Sequence, residues 1–240
     1  IFNFGDGSRY PSYDYKMNLE ASTFTGGSSL LRFYGDFKTL IPDGKLFVDC
    51  TYFTAKKYDF YGYNGYASPF FVDGIGLEEG VTSALNMMSR NQFRFVASVQ
   101  QKIAGNLYWT LGLGYYNIKT GGVKLDEYKD QTTLYHLYRQ VGLIREDEAE
   151  GGNVLQFKAG LVYDTRDHDS DPTRGVNIEA TLVGAPDIID RKGYSNVGLT
   201  FVGSHYVPVW KDKLTFAYRL GMQANIAGEV PFYFINNLNT

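Results

Sequence analysis

The chain is poor in several things that narrow what it can be. It has one cysteine, Cys50, so no disulfide can form within these residues. Cys50 falls on the apolar side of its segment, where a thiol behaves as a small hydrophobe, and no histidine accompanies it in a catalytic motif. No apolar run approaches the ~18 residues that a membrane-crossing helix needs, and the mean hydropathy is -0.26. That excludes a spanning helix and leaves spanning strands open, because only alternate residues of a strand need be apolar. There is no basic excess: 23 Lys and Arg stand against 26 Asp and Glu, a net charge of -3, which provides no footprint for nucleic acid. The three histidines, His136, His168 and His205, share no metal-ligand spacing, so zinc is not expected. No signal peptide is visible at Ile1.

Aromatic residues are abundant. Tyrosine numbers 20 and phenylalanine 17, and aromatics make up 16% of the chain. Tyrosine suits a membrane interface, since its ring is apolar and its hydroxyl wet. Hydrophobic content of 44% against 20% charge excludes a disordered chain, and the length suits one domain.

The pattern is period two. Leu155, Phe157, Ala159, Leu161 and Tyr163 fall on one face, with Gln156, Lys158, Gly160 and Asp164 opposite; later, Val176, Ile178, Ala180 and Leu182 alternate with Asn177, Glu179 and Thr181. Such alternation marks strands with one apolar and one polar face. Between them, Asp164-Thr165-Arg166-Asp167 and Asp171-Pro172-Thr173-Arg174-Gly175 supply a turn, so the pair is a hairpin. Similar alternation predicts strands over 15–25, 29–39, 45–58, 91–103, 107–120, 196–209 and 214–226, about nine in all. The segment at 45–58 is imperfect, because Phe47 and Phe53 share a face with Asp49.

Connections fall into two sets. Short turns at Pro42, Ala104, His168 and Trp210 alternate with connections at Gly26, 59–90, 121–153 and 186–195. Transmembrane barrels place short turns on one side and longer loops on the other. Leu134, Leu137, Tyr138 and Val141 recur at helical spacing, predicting a short amphipathic helix over or beside the loops. Lys16, Glu20, Arg32, Asp36, Lys38, Arg94, Lys102, Lys158, Glu179 and Arg219 all take the polar side. A watery lumen tolerates such charges, whereas Arg or Lys facing lipid costs ~2–4 kcal/mol near the midplane. The expected fold is therefore all-β, a transmembrane antiparallel barrel; the alternative is a tyrosine-rich soluble sandwich.

Catalytic and cofactor chemistry finds little support. The carboxylates Glu78-Glu79 and Glu146-Asp147-Glu148-Glu150 lie in Gly-bounded loops and read as solvated surface, or as a site for cations bridging lipopolysaccharide. Gly112-Leu113-Gly114 lies within a strand with no helix following, so a nucleotide loop fails its context test; such glycines relieve crowding. No nucleophile and base occur together. Neither enzyme activity nor a cofactor or metal is expected.

The wording of the hairpin resembles a family. A strand ending in Asp164-Thr165-Arg166-Asp167 and a partner opened by Pro172-Thr173-Arg174-Gly175 are similar to the bacterial surface-antigen barrels of the BamA/TamA superfamily. Tyr206-Val207-Pro208-Val209 and Val230-Pro231-Phe232-Tyr233 follow in the family's order. The resemblance implies a sixteen-stranded barrel in the outer membrane of a Gram-negative bacterium, working in insertion or translocation of outer-membrane proteins by mechanical means. Its implied partners are outer-membrane lipids and lipopolysaccharide, with nascent outer-membrane proteins or envelope lipoproteins. Residues 1–240 are expected to be one partial barrel domain, without POTRA domains and without the C-terminal strands. The alternative function is a barrel that inserts nothing: a pore, a surface scaffold or a subunit of an envelope complex.

Overall fold

A computed structural model describes residues 2–5, 13–62, 84–128, 130–169, 171–210 and 213–235. Glu78 and Glu79 lie outside them. Ten strands form one antiparallel sheet in strict sequence order: β1 (Phe2–Phe4), β2 (Tyr15–Thr23), β3 (Ser28–Phe37), β4 (Gly44–Asp59), β5 (Met87–Ala104), β6 (Leu107–Gly121), β7 (Gly151–Asp164), β8 (Gly175–Ala185), β9 (Asn196–Trp210) and β10 (Leu214–Gly228). Nine correspond to the segments expected from alternation. The tenth, β1, is only three residues long, too short to show a period. Between β6 and β7 lie α1 (Leu134–Gln140) and α2 (Glu146–Ala149), two helices where one was expected. Val141 only caps α1 and is 58% exposed.

Register decides what each face presents. Residues opposite one another across a ladder share a face, and Leu161 pairs with Trp109 and Ala180, which in turn faces Phe201. Extending this row gives an outer face of Leu46, Val48, Phe95, Val99, Leu111, Leu113, Phe157, Ile178, Leu199, Leu220 and Met222. Much of it is exposed: Leu111, Phe157, Leu161, Leu182 and Leu220 all stand above half or close to it. Exposed leucine in continuous rows fits a wall that faces lipid, where no water competes for polar groups. On β7 the row runs from Leu155 to Tyr163, roughly 27 Å along the strand at ~3.4 Å per residue, which at a tilt of ~40° spans about 21 Å, most of the ~25 Å apolar band. Toward the helical end the same face becomes polar, with Thr54, Asn91, Asn117, Lys119 and Asn153 in adjoining positions.

Two contacts fix the curvature. At the short-turn end, Lys38 beyond β3 bonds Asp169 in the β7–β8 turn, Nζ to Oδ2 at 2.9 Å. At the other end Phe60 beyond β4 meets Phe232 beyond β10, with centroids 6.3 Å apart. Both pairs join elements that are several strands apart in the sheet, so the wall is strongly bent toward its polar side. Gly112 and Gly114 belong to this concave face, and the Tyr116 ring lies over Gly114, 2.9 Å from where a Cβ would stand. The expected relief of crowding is what that contact shows.

The register makes a direct forecast. In a Cys50→Ala background, Lys158→Cys should react with a membrane-impermeant thiol reagent and Leu161→Cys should resist it. The reverse pattern would mean that the faces are inverted.

Candidate functional site

The concave face holds an ion cluster at mid-wall and a folded cap at one end. Asp49 on β4 sits between Arg32 on β3 and Arg94 on β5, and it is 2% exposed. Arg32 donates from Nε to Oδ2 at 2.9 Å, Arg94 from Nη2 to Oδ1 at 2.9 Å, and Thr51 from Oγ1 to Oδ1 at 2.7 Å. Three strands are pinned through one carboxylate. Nearby, the Tyr116 hydroxyl donates to Gln156 Oε1 at 3.3 Å. Among the described residues, no group of three or more His, Cys, Asp or Glu could hold a metal ion.

The cap forms because the apolar residues of α1 and of the segment after β10 find an apolar inner rim beneath them. Leu134, Tyr135 and Tyr138 pack with Met88, Ile118, Ile144, Val154, Ala185 and Phe232 to Phe234, with Phe60 and Tyr116 alongside. The inner face carries the charged residues along the strands, but its helical end is apolar, because these loops cover it. The aromatic contacts are close, Tyr116 to Phe234 at 4.9 Å and Phe60 to Tyr138 at 5.7 Å between centroids.

Glu148 fastens this cap. Its Oε2 accepts from the Phe232 N–H at 2.7 Å and its Oε1 from the Arg145 N–H at 3.1 Å, and it is 5% exposed. The reading of 146–150 as solvated surface is therefore corrected at Glu148, whose carboxylate supplies acceptors to backbone groups buried by the cap. Its neighbour Asp147 accepts from the Tyr194 hydroxyl at 3.0 Å and pairs with Arg145 at 3.1 Å. Burial, reinforced by the Asp147 carboxylate, pushes the Tyr194 hydroxyl well above its usual range. Burial likewise raises Tyr233, with Asp190 adding to it. Arg145 also reaches Glu229 at 3.3 Å, so the chain leaving β10 is held to α2 at two points.

At the opposite end, the motif residues are knotted into the β7–β8 turn. Arg166 bonds Asp164 from Nε to Oδ1 at 2.9 Å and from Nη2 to Oδ2 at 2.6 Å. Asp167 accepts from the Thr173 N–H at 2.9 Å, the Arg174 N–H at 3.3 Å and the Thr173 hydroxyl. Those bonds, the Thr173 hydroxyl first, hold its carboxyl far below the usual range. Thr165 Oγ1 accepts from the Val176 N–H at 2.9 Å. Gly175 has φ +106, and a Cβ there would stand 2.4 Å from the Thr165 carbonyl oxygen. Pro172 is the one motif residue of the turn for which these bonds give no part. Pro231, Phe232 and Tyr233 lie in the cap, buried. The two halves of the motif set are thus at opposite ends of the wall, each tying a loop to the inner face. Sequence reading did not find Asp49 or Glu148 as key residues; the lapse in alternation at 47–53 was the only signal for the first.

Comparison with known proteins agrees with this architecture. The search of curated proteins gives no match. Among solved structures, BamA from Haemophilus ducreyi lacking POTRA domains 1-3 is similar, with a TM-score of 0.50 at 17% identity over 91% of this chain. The chain spans only 37% of that structure's length, and at this identity the likeness speaks for the fold. The Omp85 superfamily domain matches residues 47–235, a stretch that runs from the strand carrying Asp49, through the β7–β8 knot, to the aromatic strap of the cap, and so the chain belongs to the Omp85 superfamily.

Proposed function

We propose that this chain forms part of the barrel wall of a BamA/TamA-type protein of the bacterial outer membrane, acting in the insertion or translocation of other outer-membrane proteins. The family match across 47–235 is the observation that carries it, and the lipid-compatible outer rows support it. On this reading the short-turn end with the Asp164 to Gly175 knot faces the periplasm and the capped end faces the cell exterior. The motif residues Asp164, Thr165, Arg166, Asp167, Thr173, Arg174 and Gly175 hold the turn that Pro172 belongs to, and Pro231, Phe232 and Tyr233 anchor the strap. The work is mechanical, with no bond made or broken. Residues 1–240 act as one partial barrel domain.

An alternative reading, a pore or scaffold, draws on the charged inner wall. The apolar cap over one mouth weighs against a permanently open pore. Depleting the full-length protein in its own host separates the readings. Insertion activity predicts that several unrelated outer-membrane barrels fall in folded abundance within a few generations, while a pore or scaffold leaves them unchanged and alters permeability or surface display.

A further inference from the structure

We propose that the wall carries a built site for an anionic, phosphate-bearing membrane lipid at the capped edge of its apolar band, with the acyl chain in a groove over β8, β9 and β10 and the phosphate at Arg191. The groove has a volume of about 500 Å³ and is lined by Gly184, Ala185, Pro186, Ser195, Asn196, Val197, Ala227 and Gly228, with almost wholly apolar walls. Its size lies within the ~300–1,000 Å³ common for ligand sites.

The groove opens on the outer face. Ala185 is 2% exposed beneath the cap, whereas a Cβ built on Gly184 meets nothing within 4 Å. Gly184 pairs with Val197 and with Phe157, so the depression is level with the lipid-facing row of β7. An apolar hollow at that depth is filled by hydrocarbon, because water there would lack polar partners.

The loop above supplies the second half. Residues 186–195 are folded tightly by Asp187, whose carboxylate accepts from the N–H groups of Arg191, Gly193 and Tyr194. Asp190 is engaged by the backbone and side chain of Asn153 at 2.6 and 2.7 Å. Both acidic groups of the loop are thereby occupied. Ile188 and Ile189 are exposed, at 55% and 45%, and Arg191 is exposed in a left-handed conformation with φ 54. Two bare isoleucines followed by a guanidinium match the acyl-to-headgroup boundary, where apolar side chains sink and basic ones meet phosphate. A zwitterionic lipid would fill the groove equally well but would leave the cation without a net anionic partner.

The site rests on the membrane-wall geometry and not on insertion activity, so it stands or falls apart from the proposed function. The test uses the full-length protein in nanodiscs of equimolar phosphatidylglycerol and phosphatidylcholine. A photo-crosslinking benzoylphenylalanine replaces Leu182, two residues from Gly184 on the same face, or Phe216, an exposed outer-face residue of β10 near the short-turn end of the wall. Mass spectrometry then reads the lipid adducts. At position 182 phosphatidylglycerol should be enriched about fivefold, the factor expected from one basic residue at a membrane surface, with no enrichment at 216. Arg191→Glu keeps the backbone bond to Asp187 and should abolish the enrichment. Gly184→Leu enters open space and should lower the total adduct at 182. Equal lipid ratios at 182 and 216, or enrichment that survives Arg191→Glu, overturns the site. Absence of any adduct at both positions overturns the membrane face itself, and the site with it.

Discussion

Asp49→Ala is expected to lower the stability of the barrel wall by about 2–3 kcal/mol, a loss set by what the substitution leaves behind. Arg32 and Arg94 converge on that one carboxylate, each with roughly a third of its side chain exposed, at 36% and 35%. Removing one partner of a buried ion pair typically costs ~3–5 kcal/mol, and the partial solvation of the two guanidinium groups screens part of it. The loss of Thr51's acceptor adds to the damage. The check is the urea midpoint of the full-length protein in detergent micelles, followed by the heat-modifiable shift on gel electrophoresis. A triple variant, Asp49→Leu with Arg32→Met and Arg94→Met, should recover most of the stability, since replacing a whole buried cluster by apolar groups is often neutral. An unchanged midpoint for Asp49→Ala would mean that water, rather than Asp49, solvates the two arginines.

Gly175→Val should be at least as damaging, by roughly 3 kcal/mol or more, because two independent costs coincide. A β-branched residue strongly disfavours φ +106, and its Cβ would meet the Thr165 carbonyl oxygen at 2.4 Å with Arg166 Cα at 2.9 Å. Those are backbone atoms, so relief requires that the β7–β8 turn open. Opening it breaks the paired bonds between Thr165 and Val176 and weakens the seat of Asp169, the partner of Lys38. The result to look for is a loss of folded, heat-modifiable protein, with new protease cleavage between 165 and 175. Gly184→Val, a glycine of the same strand with open space around it, should leave both measures nearly as they are.

Much of this wall is legible in the sequence because a barrel strand writes its environment into every second residue. Leu155 to Tyr163 and Val176 to Leu182 name their faces without any knowledge of their partners, and the turns between strands announce themselves by Asp, Pro and Gly. What depends on distant partners is not written locally. Asp49 looked like a lapse in alternation, since its meaning comes from Arg32 and Arg94 on neighbouring strands. Glu148 stands in a run of acidic residues that resembles solvated surface, and only the approach of the Phe232 N–H reveals it as buried. Val154 belongs by period to the polar side, yet it is covered by the cap, an element assembled from loops with no common period.

That assembly has a consequence for the order in which the chain acquires its structure. Each strand pairs only with its sequence neighbours, so the wall can zip hairpin by hairpin with little loop-closure cost at each step. The cap cannot. Its Phe60 waits for Phe232, and its Glu148 for the same segment, so its completion must follow the docking of β10. A cap that closes last makes its completion a kinetic report that the strands beneath it have registered correctly, since a one-residue slip of β6 or β7 would turn Ile118 or Val154 to the wrong face and leave the strap with nothing to seat on.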